Sequence, residues 1–322
     1  MHRPGIRTAA TNQLRADAQI GLLDVPFVNF PLHLLIPLAC ALLYVLAALT
    51  IKRAAVFGVG VWRTSFVANW IMAVVFLPWW FWRGGHLHPL ADYWQPAVTA
   101  LCFLGGQIFI FLALSKGDVS VTTPVMGTKV IMVALFSSLL RVGEVPLKWW
   151  LGATLSAGAV ALLHAGEKHG ERRHVGTAVA LATASALSYG LGDVLMQKWV
   201  PAWGTASYFP AMFILVGIYS VAFVPFFSAP LSALNAEAWR WVSIGGVLLA
   251  LNNAGIVLTL GIWGGATAVN IVYSVRGLFS VLAVWAIGHW FASTEQHLAP
   301  GVLRFRFIGA ALMVGAIALV LG

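Results

Sequence analysis

The chain has 322 residues, 60% of them hydrophobic and only 9% charged, with a net charge of +9. A soluble domain carries roughly 25% charged residues, so these few cannot cover a water-facing surface, and the composition suits a bilayer instead. The positive charge does not indicate nucleic acid, because Lys and Arg stand in ones and twos between apolar runs and form no basic stripe.

A spanning helix needs about 20 mainly apolar residues. A polar tail covers residues 1–30 and lacks the apolar core and small-residue cleavage site of a secretory signal. After it, candidate spans fall at 32–51, 62–82, 96–114, 121–141, 148–165, 176–196, 206–228, 239–261, 266–291 and 304–321. Helices are the expected form, since an open sheet in lipid leaves backbone groups unpaired. Trp79, Trp80 and Trp82, Trp149 and Trp150, and Trp239 and Trp241 cluster near span ends, where indole rings favour the membrane–water interface. Cys40 and Cys102 lie in apolar runs and read as inert buried thiols.

The two halves repeat. ALLYVLAALTIKR (41–53) falls on ALSYGLGDVLMQK (186–198), placing Tyr44 on Tyr189. Pro78 falls on Pro225, Gly117 and Val121 on Gly265 and Val269, and GATLSAGAVAL (152–162) on GAALMVGAIAL (309–319). The matches are collinear, so the chain reads as a duplication: a first five-helix repeat over 31–166, a polar linker over 167–175 and a second repeat over 176–322. Five helices is an odd number, so the second copy enters the membrane from the opposite side. The expected fold is therefore all-α and integral to the membrane, with ten transmembrane helices as two inverted five-helix repeats, an architecture of secondary transporters.

ALSKGDVSVTTPV (113–125), LRVGE (140–144) ahead of a GAxLxxGAxAL helix, and Arg63 opening the second span resemble the drug/metabolite transporter superfamily, specifically its EamA-type ten-helix members. The likeness runs over essentially the whole chain after residue 30. GHWFASTEQHLAP (288–300) is a longer, altered version of the LxxGE turn in the second copy. The resemblance implies a multi-pass protein of the cell (inner) membrane with both termini cytoplasmic. Charge alone leans mildly the other way, with seven basic residues on the N-terminal side and ten opposite.

Those seventeen loop residues leave two of the nineteen Lys and Arg, Lys129 and Arg276, inside spans. A cation near the bilayer centre costs about 2.5–3.5 kcal/mol and normally faces a cavity or a partner. They are one position from equivalence in the repeat, in the fourth and ninth spans, which converge on the pseudo-twofold axis where a substrate site is expected. Superfamily members that exchange phosphorylated sugars similarly use basic residues in those two helices. The other reading is internal ion pairing, since Asp193 is an acid deep in a span. Asp193 is equally a candidate for proton coupling.

Helical spacing adds further lining. Tyr189, Asp193 and Gln197 share a face; Tyr273 stands three residues before Arg276; Thr122 and Met126 share the face of Lys129. Tyr44 is the copy of Tyr189. Gln107, Asn252 and Asn253 are the polar residues of the third and eighth spans, and interhelical hydrogen bonding is their alternative role.

The expected function is secondary-active transport of a small anionic metabolite, carboxylate or phosphate-bearing, by alternating access. The alternatives are export of neutral or zwitterionic amino acids or drugs with the intramembrane charges structural, and a scaffold or sensor that transports nothing. Enzyme activity is not expected, because no Ser/His/Asp grouping occurs in the spans. Neither a cofactor nor a metal is expected: His164, His169 and His174 with Glu167 and Glu171 have no repeating ligand spacing, and the same holds for His86 and His88. The expected partners are the solute, the lipid bilayer and, as the resemblance implies for the fifth and tenth helices, a second copy of the chain. The small-residue faces of those helices, Gly152/Gly158/Ala159 and Gly309/Gly315/Ala316, are read first as tight packing.

Overall fold

The structure, a computed structural model, describes residues 31–116, 119–163, 175–287 and 300–321. The tail at 1–30, the linker with His164, His169 and His174, and nearly all of the altered turn at 288–300 lie outside them. Every regular element among the described residues is helical. Besides four short 3-10 helices, the α-helices in chain order are α1 (Leu35–Val56), α2 (Val61–Trp82), α3 (Trp94–Lys116), α4 (Val119–Gly127), α5 (Lys129–Leu139) and α6 (Leu147–Leu163). There follow α7 (Val175–Trp203), α8 (Thr205–Tyr219), α9 (Ala236–Trp263), α10 (Ala266–Tyr273), α11 (Arg276–Ile287) and α12 (Pro300–Leu321). Eight helical stretches among the described residues are long and apolar enough to cross a membrane, while α6 is apolar but shorter. The protein is therefore a multi-pass membrane protein.

Helix ends differ from the apolar windows where polar residues continue a helix. α9 starts three residues early because the Asn235 side chain accepts a hydrogen bond from Ala238 N at 2.8 Å, an N-cap that apolar counting ignores. α7 runs seven residues past 196, since Gln197 and Lys198 end the apolar run without ending the helix.

Two expected spans are interrupted. The run at 121–141 divides into α4 and α5 at Thr128, and the run from 266 divides into α10 and α11 at Ser274 and Val275. A hydroxyl sits at each break and bonds back three residues: Thr128 Oγ1 to Val125 O and Ser274 Oγ to Ile271 O, both at 2.6 Å. Such back-bonding competes with the helical ladder and bends it. The cation follows directly, Lys129 as first residue of α5 and Arg276 as first residue of α11.

Packing joins early helices to late ones. α1 lies along α9, α3 along α7, α2 along α8, and α6 along α12. α5 packs on α7, α11 on α1, and α10 on α5, so the interrupted helices flank the α1 and α7 positions. Aromatic side chains fill part of the core: Phe76 stacks on Phe213 with centroids 4.3 Å apart, and Tyr208 and Phe209 are fully buried.

The α6–α12 contact uses the small residues unevenly. A Cβ at Gly309 would stand 2.9 Å from Ala159 O and 3.0 Å from Leu163 N, and one at Gly152 would stand 3.3 Å from Ala316 O. Gly158 and Gly315 have nothing within 4 Å of a modest added Cβ. At 100° per residue, positions seven apart share a face and positions six apart do not. Gly152 and Ala159 therefore point inward and Gly158 outward. The inward small residues are committed within one chain, which leaves the outward faces for any contact between copies.

Candidate functional site

The interruptions bring the chain's intramembrane charges together. Lys129 Nζ lies 2.8 Å from Asp193 Oδ2, with both side chains largely buried. Asn270 Nδ2 donates to the same oxygen at 2.8 Å while also donating to Ala266 O at 2.9 Å. The ammonium lies 5.7 Å from the centroid of the Tyr189 ring. Tyr189 in turn is within electrostatic reach of Tyr44, Tyr273 and Arg276, so one cluster spans both cations.

Arg276 is held differently. Its guanidinium carbon lies 4.8 Å from the Tyr44 ring centroid and 4.6 Å from that of Tyr273, and the two rings meet edge-on at 6.2 Å. Aromatic faces stabilise a cation without neutralising it. Arg276 makes no ion pair among the described residues, whereas Lys129 does. Two cations and one carboxylate leave the cluster with one net positive charge. Tyr44, 36% exposed, is its open wall.

The other expected site residues divide. Asn252 joins the cluster: in the amide orientation that satisfies its neighbours it donates to Cys40 O at 2.8 Å and Tyr273 Oη at 3.1 Å. Thr122 is buried in α4, two turns before Lys129. Gln107 does not reach the cluster, because it exchanges two hydrogen bonds with Asn69 at 2.9 and 3.0 Å. Asn253 donates to Leu249 O of its own helix and to Met72 Sδ. These two amides serve helix association, the alternative role that intramembrane amides have.

Gln197 shares a face with Asp193 yet works elsewhere. Its Oε1 accepts from Ala266 N at 2.8 Å and its Nε2 donates to Val142 O at 3.3 Å. It thus ties the turn after α5 to the turn before α10. The second turn exists because Gly264 and Gly265 have φ of +70° and +65°, a pair of left-handed positions that suits glycine. Gln197→Ala is expected to cost about 1–3 kcal/mol by orphaning two partly buried backbone groups. Thermal unfolding in detergent reads this, and an unchanged midpoint would show that the turns hold themselves.

Sequence reasoning missed Asn270 as well. It stands three residues before Tyr273 in α10, a spacing that puts the two near one helix face. His86 and His88 serve packing: His88 stacks on Trp203 at 4.0 Å, and His86 N donates to Ser207 Oγ.

Residues 32–165 match the model of the EamA-like transporter family. The chain carries an EamA-like transporter region. This region contains Tyr44, Gln107, Thr122 and Lys129, while Tyr189, Asp193, Asn252, Asn253, Tyr273 and Arg276 lie beyond its matched residues. A solved structure recorded as "Crystal structure of protein" is similar, with a TM-score of 0.71 and 19% identity. The alignment covers 89% of this chain and 97% of that one, and at such identity it speaks for the fold alone. No curated protein matches the sequence.

Proposed function

We propose that this EamA-like protein is a secondary-active transporter of a small anionic solute, carboxylate or phosphate-bearing. It works by alternating access between two inverted five-helix repeats, over 31–166 and 176–322, giving ten spans with α4–α5 and α10–α11 each counted as one. The packing supports the duplication. Exchanging α1 with α7, α2 with α8, α3 with α9 and α6 with α12 turns the α1–α9 contact into α7–α3 and leaves α2–α8 and α6–α12 as they are. In this reading both termini are cytoplasmic and the membrane is the cell's inner one.

One observation carries the choice of an anion: the half-buried Arg276 has aromatic faces around it and no carboxylate within ion-pair distance among the described residues. A cation this deep is costly unless something offsets it. A passing anion supplies the missing charge, with Tyr44, Tyr273 and Asn252 beside it. The Lys129–Asp193 pair favours a second reading, in which neutral or zwitterionic amino acids or drugs are exported and the charges are structural.

Thermal stabilisation of the purified protein by a metabolite panel separates the two, since ligand at 100 times its Kd adds about 2.7 kcal/mol. Carboxylate or phosphate-bearing compounds are expected to raise the unfolding temperature of the wild type. Arg276→Ala is expected to abolish both that rise and saturable uptake into vesicles, while unfolding at the wild-type temperature without ligand. Stabilisation by neutral or cationic compounds only would sink the anion assignment and leave transport standing.

A further inference from the structure

The end of α2 leaves three side chains with little use inside the chain. Trp79, Trp82 and Arg83 line an open crevice of about 290 Å3, near the lower end of the range for small-ligand clefts. Arg83 makes no ion pair among the described residues. Its guanidinium carbon lies 5.2 Å from the Trp79 ring centroid, an attraction that leaves the charge in place. Trp79 Nε1 is buried and has no hydrogen-bond acceptor, and the Trp82 side chain is 84% exposed. The carbonyls at a helix C-terminus would repel an anion, but here they are taken, Trp79 O by Arg83 N and Trp80 O by Gly85 N.

The level of the crevice in the membrane identifies its occupant. Trp79, Trp80 and Trp82 mark where α2 passes from hydrocarbon to water, and lipid phosphates stand at that level. A guanidinium there matches a phosphate in both charge and hydrogen-bond geometry. We propose that the Trp79–Trp82–Arg83 crevice binds one anionic phospholipid. Arg83 holds the phosphodiester, and the two indole rings flank the glycerol and the first acyl carbons. A headgroup oxygen beside the Trp79 ring gives its N–H the acceptor that the chain does not supply. A lipid with a cationic headgroup, such as phosphatidylcholine, brings a like charge towards Arg83 and binds less well. The site shares no residue with the Lys129–Asp193–Arg276 cluster, and it does not rest on the anionic-solute reading.

Native mass spectrometry of the full chain in detergent, titrated with phosphatidylglycerol or with phosphatidylcholine, tests this. Phosphatidylglycerol is expected to fill one tight site per chain, and phosphatidylcholine to bind there more weakly. Arg83→Gln is expected to weaken that site about tenfold, the scale for losing a hydrogen bond to a charged group. Arg83 is exposed and no carboxylate depends on it, so the variant keeps its fold. Lys198→Gln, which removes an exposed charge from α7, is expected to bind as the wild type does, and this separates a site from general attraction to a basic protein. Equal binding of phosphatidylglycerol by wild type and Arg83→Gln overturns the proposal, as does equal binding of the two lipids. Release of the lipid by millimolar inorganic phosphate would also overturn it, making the crevice a site for free anions.

Discussion

Lys129→Ala is expected to destabilise the chain by about 3–5 kcal/mol, because it leaves a buried carboxylate without its counter-charge. Asn270 remains on Asp193 Oδ2, but one amide donor does not replace an ammonium at 2.8 Å. Removing both charges together, as in Lys129→Met with Asp193→Leu, is expected to recover most of the loss, since apolar replacement of a buried pair is often neutral. Thermal or denaturant unfolding of the two single variants and the double variant closes the cycle. A coupling below about 0.5 kcal/mol would mean that water screens the pair and that it contributes little. Arg276→Ala should behave oppositely, abolishing transport with little loss of stability, because no carboxylate depends on that guanidinium. Two cations one position from equivalence in sequence thus sit in different surroundings, Lys129 in an ion pair and Arg276 over two aromatic rings.

Gly309→Val is expected to cost about 3 kcal/mol, the upper part of the range for overpacking a filled interface. The added Cβ would stand 2.9 Å from Ala159 O and 3.0 Å from Leu163 N. Both are backbone atoms of α6, which cannot rotate away as a side-chain tip can, so α6 and α12 must separate. The separation would also disturb the buried Ser156–Ser274 hydroxyl contact at 2.5 Å, with Met313 Sδ 3.2 Å from Ser274 Oγ, and so the break ahead of Arg276. Gly158→Ala is the control: nothing lies within 4 Å of its Cβ, and helix propensity alone favours Ala by about 1 kcal/mol. Equal unfolding temperatures for the two variants would show that α6 and α12 do not pack as described.

Apolar run length made most of the helices legible, because lipid imposes one requirement on nearly every residue of a span. The breaks at Thr128 and Ser274 were not, because a hydroxyl that bonds back to its own helix looks in sequence like one that bonds across. Lys129 and Arg276 were visible as expensive cations, but which of them Asp193 neutralises depends on side-chain reach, and spacing does not contain that. Gln107 and Gln197 show the same limit. Both are amides near expected lining positions, and both face partners, Asn69 in one case and two glycine-rich turns in the other, that only packing supplies. Glycines 152 and 158 read as one stripe until helical phase separated them.

On the alternating-access reading, the Gln197 tie would set a scale for how often the turns at Val142 and Ala266 part. If passage of solute requires the turns at Val142 and Ala266 to part, the two hydrogen bonds must be exchanged for bonds to water. A net cost of about 0.5–1.5 kcal/mol for each places the parted arrangement about 1–3 kcal/mol above the joined one. Between roughly one molecule in six and one in 160 would then be parted at any moment before solute arrives. A solute needs only a comparable difference in affinity to reverse that balance, so one amide can keep the path shut without locking it.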